Sequence, residues 1–390
     1  MTRAQAFLLT LVFAAAVTAR MVSLPTTPFF CDVPANMTAV LTGTMHIQFP
    51  GYVPFHLLVT PFAYLFGSVP AGIVYFSLIC SIGAMVYCLL FANDRVGFPG
   101  ALLATTVIGL SPVTVYFACM GASYTTDLLS MSALIFHGNR FLATNDDRQY
   151  RWVVVWFIFG SLMRSLSFPF AGLAVLYLLG RRPTRANILF TAAVFAFGIA
   201  FYTITAFYYF KSWQNILGSM GPAAGTLKAP FTFYWFLGNE TRNILFISWS
   251  LNVYLFLVLA VLWLGRRNHH VPLRTYFLYL IVPYSCFLFW YDCHAGYICM
   301  LIPAFVCAPW IVENPRGLNA RAIPVAAVFG ILALLQFFVA RPIPFTGKIS
   351  LTLNSYVLTY TRGGIALGMF DNLKGWERQY HLDHQGVPWF

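Results

Sequence analysis

Residues 29–52, FFCDVPANMTAVLTGTMHIQFPGY, hold the side chains best suited to chemistry in this chain. Within them lie one carboxylate (Asp32), one amide a helical turn later (Asn36), one imidazole (His46) and the turn Pro50-Gly51-Tyr52, with no Lys or Arg between. A carboxylate within reach of a hydroxyl can take its proton as that hydroxyl attacks an electrophile, which is general-base chemistry. Asp32 also suits the N-cap of a short helix beginning near Pro34, and a carboxylate can serve both ends.

The elements that must position this stretch are apolar. Of the 390 residues 59% are hydrophobic and 9% charged, and mean hydropathy is +0.73. A soluble domain carries about 25% charged residues, so most of this surface must face lipid. The net charge of +12 is no sign of nucleic acid, because the basic residues fall between apolar runs, as topology signals do. An all-α polytopic membrane protein follows. The predicted spans are 4–22, 70–92, 99–118, 123–139, 152–166, 168–180, 188–210, 244–265, 275–290, 296–312 and 323–340, eleven in all. The first could alternatively be a signal peptide ending in the cleavable-looking AVTA before Arg20. Tyr52 to Gly67, broken by Pro54 and Pro61, reads as a helix lying along the interface.

Charge orients the bundle. With the N-terminus in the cytoplasm, thirteen of the 23 Lys and Arg fall in cytoplasmic loops, nearly all of them short, such as GRRPTR and GRRNHH. The remainder, Arg20 and Arg164 among them, lie at span ends or in the long outer segments 211–243 and 341–390. Counting Tyr52 to Gly67 as a span would put GRRPTR outside. The division is therefore a membrane-integral domain over 1–340 and a non-cytoplasmic tail over 341–390. The outer face carries the elaborate loops, so chemistry is expected there.

Eleven acidic residues sort quickly. Asp94, Asp146, Asp147 and Glu313 belong to basic cytoplasmic loops, and Asp371, Glu377 and Asp383 to the tail. Asp32, Asp127, Glu240 and Asp292 sit at outer span ends, where a carboxylate near membrane depth is functional or paired. Asp127 opens an apolar helix and can either interact with its dipole or face the same pocket as Asp32. Arg164 interrupts GSLMRSLSF, and a guanidinium there needs an anion, either Asp127 or a bound phosphate. Arg242 follows Glu240 and reads as a phosphate or carboxylate contact, or simply as its partner in an ion pair. His294 and Tyr297 follow Asp292 on the same face.

Eight cysteines show no metal-like spacing. Cys80, Cys88, Cys286, Cys299 and Cys307 read as small core residues, while Cys31 and Cys293 are placed to pair in an oxidising compartment. His269-His270 reads as a solvated turn. There is no phosphate-binding glycine loop, HExxH or GxSxG. The sequence specifies no cofactor and leaves a divalent metal open.

The order of these motifs resembles the GT-C superfamily, integral-membrane glycosyltransferases that include protein O-mannosyltransferases and the lipid A aminoarabinose transferase. Asp32, His46 and Pro50-Gly51-Tyr52 resemble its first outer loop and interfacial helix. LSPVTVYFACMGASYTTDLL resembles the segment with a Pro late in the third span and an acid opening the fourth. FGSLMRSLSFPF and HAGYICMLIPAF resemble its fifth-span and late outer-face motifs. The chain departs in having a lone Asp32 where an acidic pair is common, and in lacking the Gln and Pro of some late segments.

The resemblance implies a sugar moved, with inversion, from a polyprenyl-phosphate carrier to a lipid, glycan or protein acceptor on the non-cytoplasmic face of a bacterial inner or plasma membrane. Asp32 would be the base and Asp127 an accessory that orients the acceptor or balances charge. Arg164 and Arg242 would hold the phosphate, with Asn36, His46, Tyr52, His294 and Tyr297 as further contacts. The competing reading is a lipid or solute transporter without chemistry. Transporters gather ionisable groups near the midplane between paired repeats, whereas here they crowd one face and no repeat is visible.

Overall fold

A computed structural model describes residues 2–22, 40, 53–121, 123–164, 168–210, 244, 247–248, 250–264, 270–290, 295–312 and 316–339. Their regular structure is helical apart from an isolated bridge at Val312. The helices are α1 (Arg3–Val22), α2 (Val53–Phe66), α3 (Val69–Val96), α4 (Phe98–Leu110), α5 (Pro112–Met120), α6 (Tyr124–Thr144) and α7 (Asp147–Met163). There follow α8 (Gly172–Arg181), α9 (Arg185–Phe210), α10 (Val253–Leu264), α11 (Val271–Trp290), α12 (Ile302–Cys307) and α13 (Arg316–Val339). Turns of 3-10 helix lead into α8 (Phe168–Ala171) and flank α12 (Ala295–Met300 and Ala308–Ile311).

Local chemistry sets the boundaries. The Ser68 hydroxyl accepts from the Ala71 amide at 3.5 Å and Pro70 sits in the first turn, which starts α3. Asn145 closes α6 in the left-handed region, and the Asp146 carboxylate then caps α7 by accepting from the Arg148 amide at 2.9 Å. Gly121 ends α5 at φ +69°, and a Cβ there would fall 2.5 Å from Ile73 Cγ2. Only glycine meets both demands.

α3 is the centre, packing against α2, α4 and α6; α1 and α13 cover α4, α7 and the 295–300 turn cover α6, and α9 packs on α7. Tyrosines tie the interior through hydroxyls that donate to carbonyls: Tyr254 to Val306 at 2.6 Å, Tyr276 to Leu134 at 2.8 Å and Tyr284 to Tyr297 at 2.6 Å. The outer surface is apolar instead of charged. Phe197, Ile199 and Ile204 of α9, and Phe256 and Trp263 of α10, are largely exposed. Side chains of this kind on the periphery find their solvent in lipid, and the protein is an integral membrane protein.

The expected spans each meet a helical stretch, but not always as one straight rod. Among the described residues α1, α3 and α9 are individually long and apolar enough to cross a bilayer, and α4 with α5 passes the same test as a pair bent by 53°, the geometry of a broken span or a re-entrant loop. The bend falls at Ser111-Pro112, inside the expected span 99–118, because proline removes an amide donor and disfavours helix at the residue before it. The expected span 296–312 is broken in the same way, into 3-10, α and 3-10 pieces containing Pro303 and Pro309. Within 244–265 the continuous helix runs from Val253 to Leu264. The tail 341–390 lies outside the described residues.

The two ends of the bundle differ. At one end Arg140 pairs with Asp94 at 2.7 Å, Arg182 pairs with Asp147 at 3.1 Å and donates to Asn145 O, and Arg95 donates to Trp310 O at 3.0 Å. This is the basic end. At the other end α1 finishes, α5 turns into α6, and α7 gives way to the turn before α8.

Candidate functional site

The second end holds a buried ionic cluster built from three separate segments. α6 supplies Asp127 from its first turn, where the positive end of the helix dipole favours a carboxylate. α7 supplies Arg164 at its C-terminus, where the carbonyl end favours a cation; its amide still bonds Gly160 O at 2.8 Å. The turn 295–300 supplies Tyr297, whose carbonyl is held by the Tyr284 hydroxyl.

Arg164 Nε lies 3.3 Å from Asp127 Oδ2, with the two side chains 2% and 0% exposed. Neither carboxylate oxygen has a hydrogen bond of good geometry among the described residues, so the contact is ionic more than directional. Arg164 Nη1 donates to Ser123 Oγ at 3.1 Å. The guanidinium lies over two aromatic faces, Tyr124 at 4.1 Å and Tyr297 at 4.8 Å from the ring centroids. Those rings meet edge to face at 5.7 Å, and Tyr124 also meets Phe117 at 4.9 Å. Aromatic faces attract a desolvated cation, so the arrangement holds the guanidinium in one orientation beside one carboxylate.

The close approach depends on Gly296. A Cβ at that position would sit 2.5 Å from the Tyr124 ring. Glycine is what lets the 295–300 turn lie against α6 and bring Tyr297 over the cation.

Of the residues singled out from sequence, Asp127, Arg164 and Tyr297 come together here. Asp32, Asn36, His46, Tyr52, Arg242 and His294 lie outside the described residues, as do Cys31 and Cys293. Sequence left two anions open for Arg164; its ionic partner in the structure is Asp127. Reading the sequence missed Ser123 and Tyr124, although both stand just before Asp127 in GASYTTD. It also gave Arg20 no role beyond a span-end cation. Cys80, Cys88, Cys299 and Cys307 are buried as expected, while Cys286 is exposed, a correction to its reading as a core residue.

An apolar cleft of ≈ 270 Å³ opens between α7, the 168–171 turn and α9, lined by Phe157, Leu162, Pro169, Phe195 and Tyr202, and by Ser161 one helical turn before Arg164. A larger hollow of ≈ 460 Å³, lined by Asp94, Arg95, Asn139, Arg140 and Gln149, belongs to the basic end and is remote from this cluster.

No protein-family model matches the sequence, and no curated protein matches it. Solved structures do. ArnT from Cupriavidus metallidurans in the apo state aligns with a TM-score of 0.54 at 14% identity, covering 95% of this chain and 76% of that one. The same protein bound to undecaprenyl phosphate aligns with a TM-score of 0.52 at 15% identity, covering 93% and 75%. At such identity the likeness speaks for the fold, and it spans nearly the whole chain: this is a polytopic membrane protein with a GT-C-like fold.

Proposed function

We propose that the protein is a membrane glycosyltransferase that moves a sugar from a polyprenyl-phosphate carrier to an acceptor hydroxyl at the end of the bundle bearing the Asp127–Arg164 cluster. The observation that carries this reading is the GT-C-like fold over 95% of the chain, shared with an ArnT whose structure binds undecaprenyl phosphate. The buried ionic cluster supports it. An amphipathic donor needs its polar head at lipid depth, beside groups already desolvated and oriented.

In this reading Asp32 is the general base. It takes the proton from the acceptor hydroxyl while that oxygen attacks the anomeric carbon from the face opposite the phosphate. The carbon–phosphate-oxygen bond breaks, the configuration inverts, and the carrier leaves as polyprenyl phosphate. The departing phosphate gains charge, which pre-placed guanidiniums stabilise; Arg164 and Arg242 are assigned to that work. Asp127 balances the charge of Arg164 and fixes its direction. The carrier's first isoprenoid units are assigned to the apolar cleft beside Ser161. The active face is the non-cytoplasmic one, consistent with the basic residues gathered at the opposite end.

One observation favours the transporter reading: the broken α4–α5 crossing, beside which a buried Arg20 lies. The two are separated by incubating the purified protein in liposomes with a panel of radiolabelled polyprenyl-phosphate sugars and candidate acceptors. Transfer of label to an acceptor supports the enzyme. Movement of label across the membrane with no new covalent product supports the transporter.

A further inference from the structure

Arg20 is a fully buried guanidinium, and among the described residues no carboxylate lies within ion-pairing distance of it. Its Nε and Nη2 donate to Ser81 Oγ at 3.2 and 2.8 Å, and its Nη1 donates to Ala16 O at 2.9 Å and Gly109 O at 2.6 Å. Ser81 stands twelve residues from the start of α3 and fifteen from its end, so the cation lies about 18 Å and about 22 Å along the helix from those ends. A span-end arginine ordinarily reaches out to the interface. This one reaches back into the bundle, in the direction in which helical side chains tilt.

The acceptors show what it reaches for. At the α4–α5 break, Val107 O is taken by the Ser111 amide at 2.9 Å, and Ile108 O and Ser111 O by the Thr114 hydroxyl at 2.6 and 2.8 Å. Gly109 O is taken by Arg20. The negative end of the α4 dipole thus stands in for a counter-ion. Meanwhile Cys119, one residue from the end of α5, donates its thiol to the Arg20 carbonyl at 3.2 Å. One residue of α1 therefore grips the chain at both ends of α5, its side chain just before the helix at Gly109 and its backbone on the last turn at Cys119.

α5 is a nine-residue helix. It leads through Gly121 directly to Ser123, Tyr124 and Asp127. We propose that Arg20 is a positioning residue: by clasping α5 at both ends to α1, it sets the turn that aims Ser123 and Asp127 at Arg164. The catalytic consequence rests on the glycosyltransferase reading, whereas the clasp itself does not.

The test uses the full-length protein in detergent with Arg20→Met, Arg20→Lys and Ser81→Ala. The clasp is read from Cys119 by N-ethylmaleimide labelling and peptide mass spectrometry, with buried Cys88 and Cys307 as internal controls. Arg20→Met is expected to raise Cys119 labelling at least about tenfold while the controls stay slow, because the charged-donor hydrogen bonds that hold this end against α1 are lost and its local opening becomes more frequent. With Ser123 and Asp127 misplaced, kcat falls about 10- to 100-fold, with KM for the polyprenyl-phosphate donor within about twofold. Arg20→Lys recovers part of both, because an ammonium keeps the charge but loses the planar fork. Ser81→Ala gives a smaller change in the same direction. Unchanged Cys119 labelling in Arg20→Met overturns the clasp, and so does labelling of all three cysteines together, which means global loosening. A normal kcat despite fast Cys119 labelling overturns the positioning role. Absence of transferase activity in the parent protein overturns the functional reading, and the labelling result then stands alone.

Discussion

Arg164→Met is the sharpest test of the ionic cluster. Methionine keeps an unbranched apolar stem between Tyr124 and Tyr297 but removes the charge. At 3.3 Å and an effective dielectric constant of about 20, the pair's Coulomb attraction is about 5 kcal/mol. That attraction is largely spent against the desolvation of two buried ions. The variant is nonetheless left with a carboxylate that is fully buried, and breaking a buried pair in this way costs about 3–5 kcal/mol. The two lost ring contacts and the Ser123 hydrogen bond are part of that same loss and are not summed onto it. Asp127→Asn, which keeps the shape and an acceptor, should cost about 3 kcal/mol, at the lower end of the penalty for an unpaired buried charge. Removing both charges should cost less than the sum of the single changes by about 2 kcal/mol or more. Unfolding the four proteins by sodium dodecyl sulfate titration in mild detergent closes the cycle. A loss under about 1 kcal/mol in Arg164→Met, or a coupling near zero, would refute the claim that this pair holds the site.

Two further expectations concern other residues. Gly296→Ala should lower both stability and turnover, by about 1–3 kcal/mol in stability, because its methyl group meets the Tyr124 ring at 2.5 Å; a thermal melt equal to the parent's would show that the turn gives way freely. His56 of α2, the helix expected to lie along the interface, is buried, and burial pushes its pKa down from 6.5 to about 4. The unfolded chain then binds this proton at higher pH than the folded one. His56 contributes no pH slope above about 6.5, and stability falls as the pH drops from about 6.5 towards about 4 at up to about 1.4 kcal/mol per pH unit. His56→Gln should flatten that slope; an unchanged slope would place its origin in another group.

The membrane class and the helical segments were legible because lipid-facing helices must be apolar on their outside, as α9 is. So was the need of Arg164 for an anion, since a lone guanidinium in an apolar run demands one. The breaks were harder to see. Hydropathy reads 99–118 as one run, and the signal lay in Ser111-Pro112, whose backbone cannot continue the helix. The aromatic sandwich was not legible at all: Tyr124 and Tyr297 are 173 positions apart, and their meeting over Arg164 depends on how α6, α7 and the 295–300 turn cross. Arg20 illustrates the same gap. A guanidinium at the end of a span ordinarily reaches for water, but helix geometry sent this one inward to a broken helix whose carbonyl needed a donor.

The central claim is that a carboxylate in the segment following α1 draws the proton from the acceptor while the carrier phosphate departs. Its most direct test is a single-turnover comparison of the parent protein and Asp32→Asn, in liposomes, with a radiolabelled polyprenyl-phosphate sugar that the parent accepts. Stoichiometric release of polyprenyl phosphate and an inverted glycosidic product are expected from the parent. For the variant that rate should fall at least about a hundredfold, with the protein still folded and still binding the carrier. Equal single-turnover rates in the two proteins would contradict it.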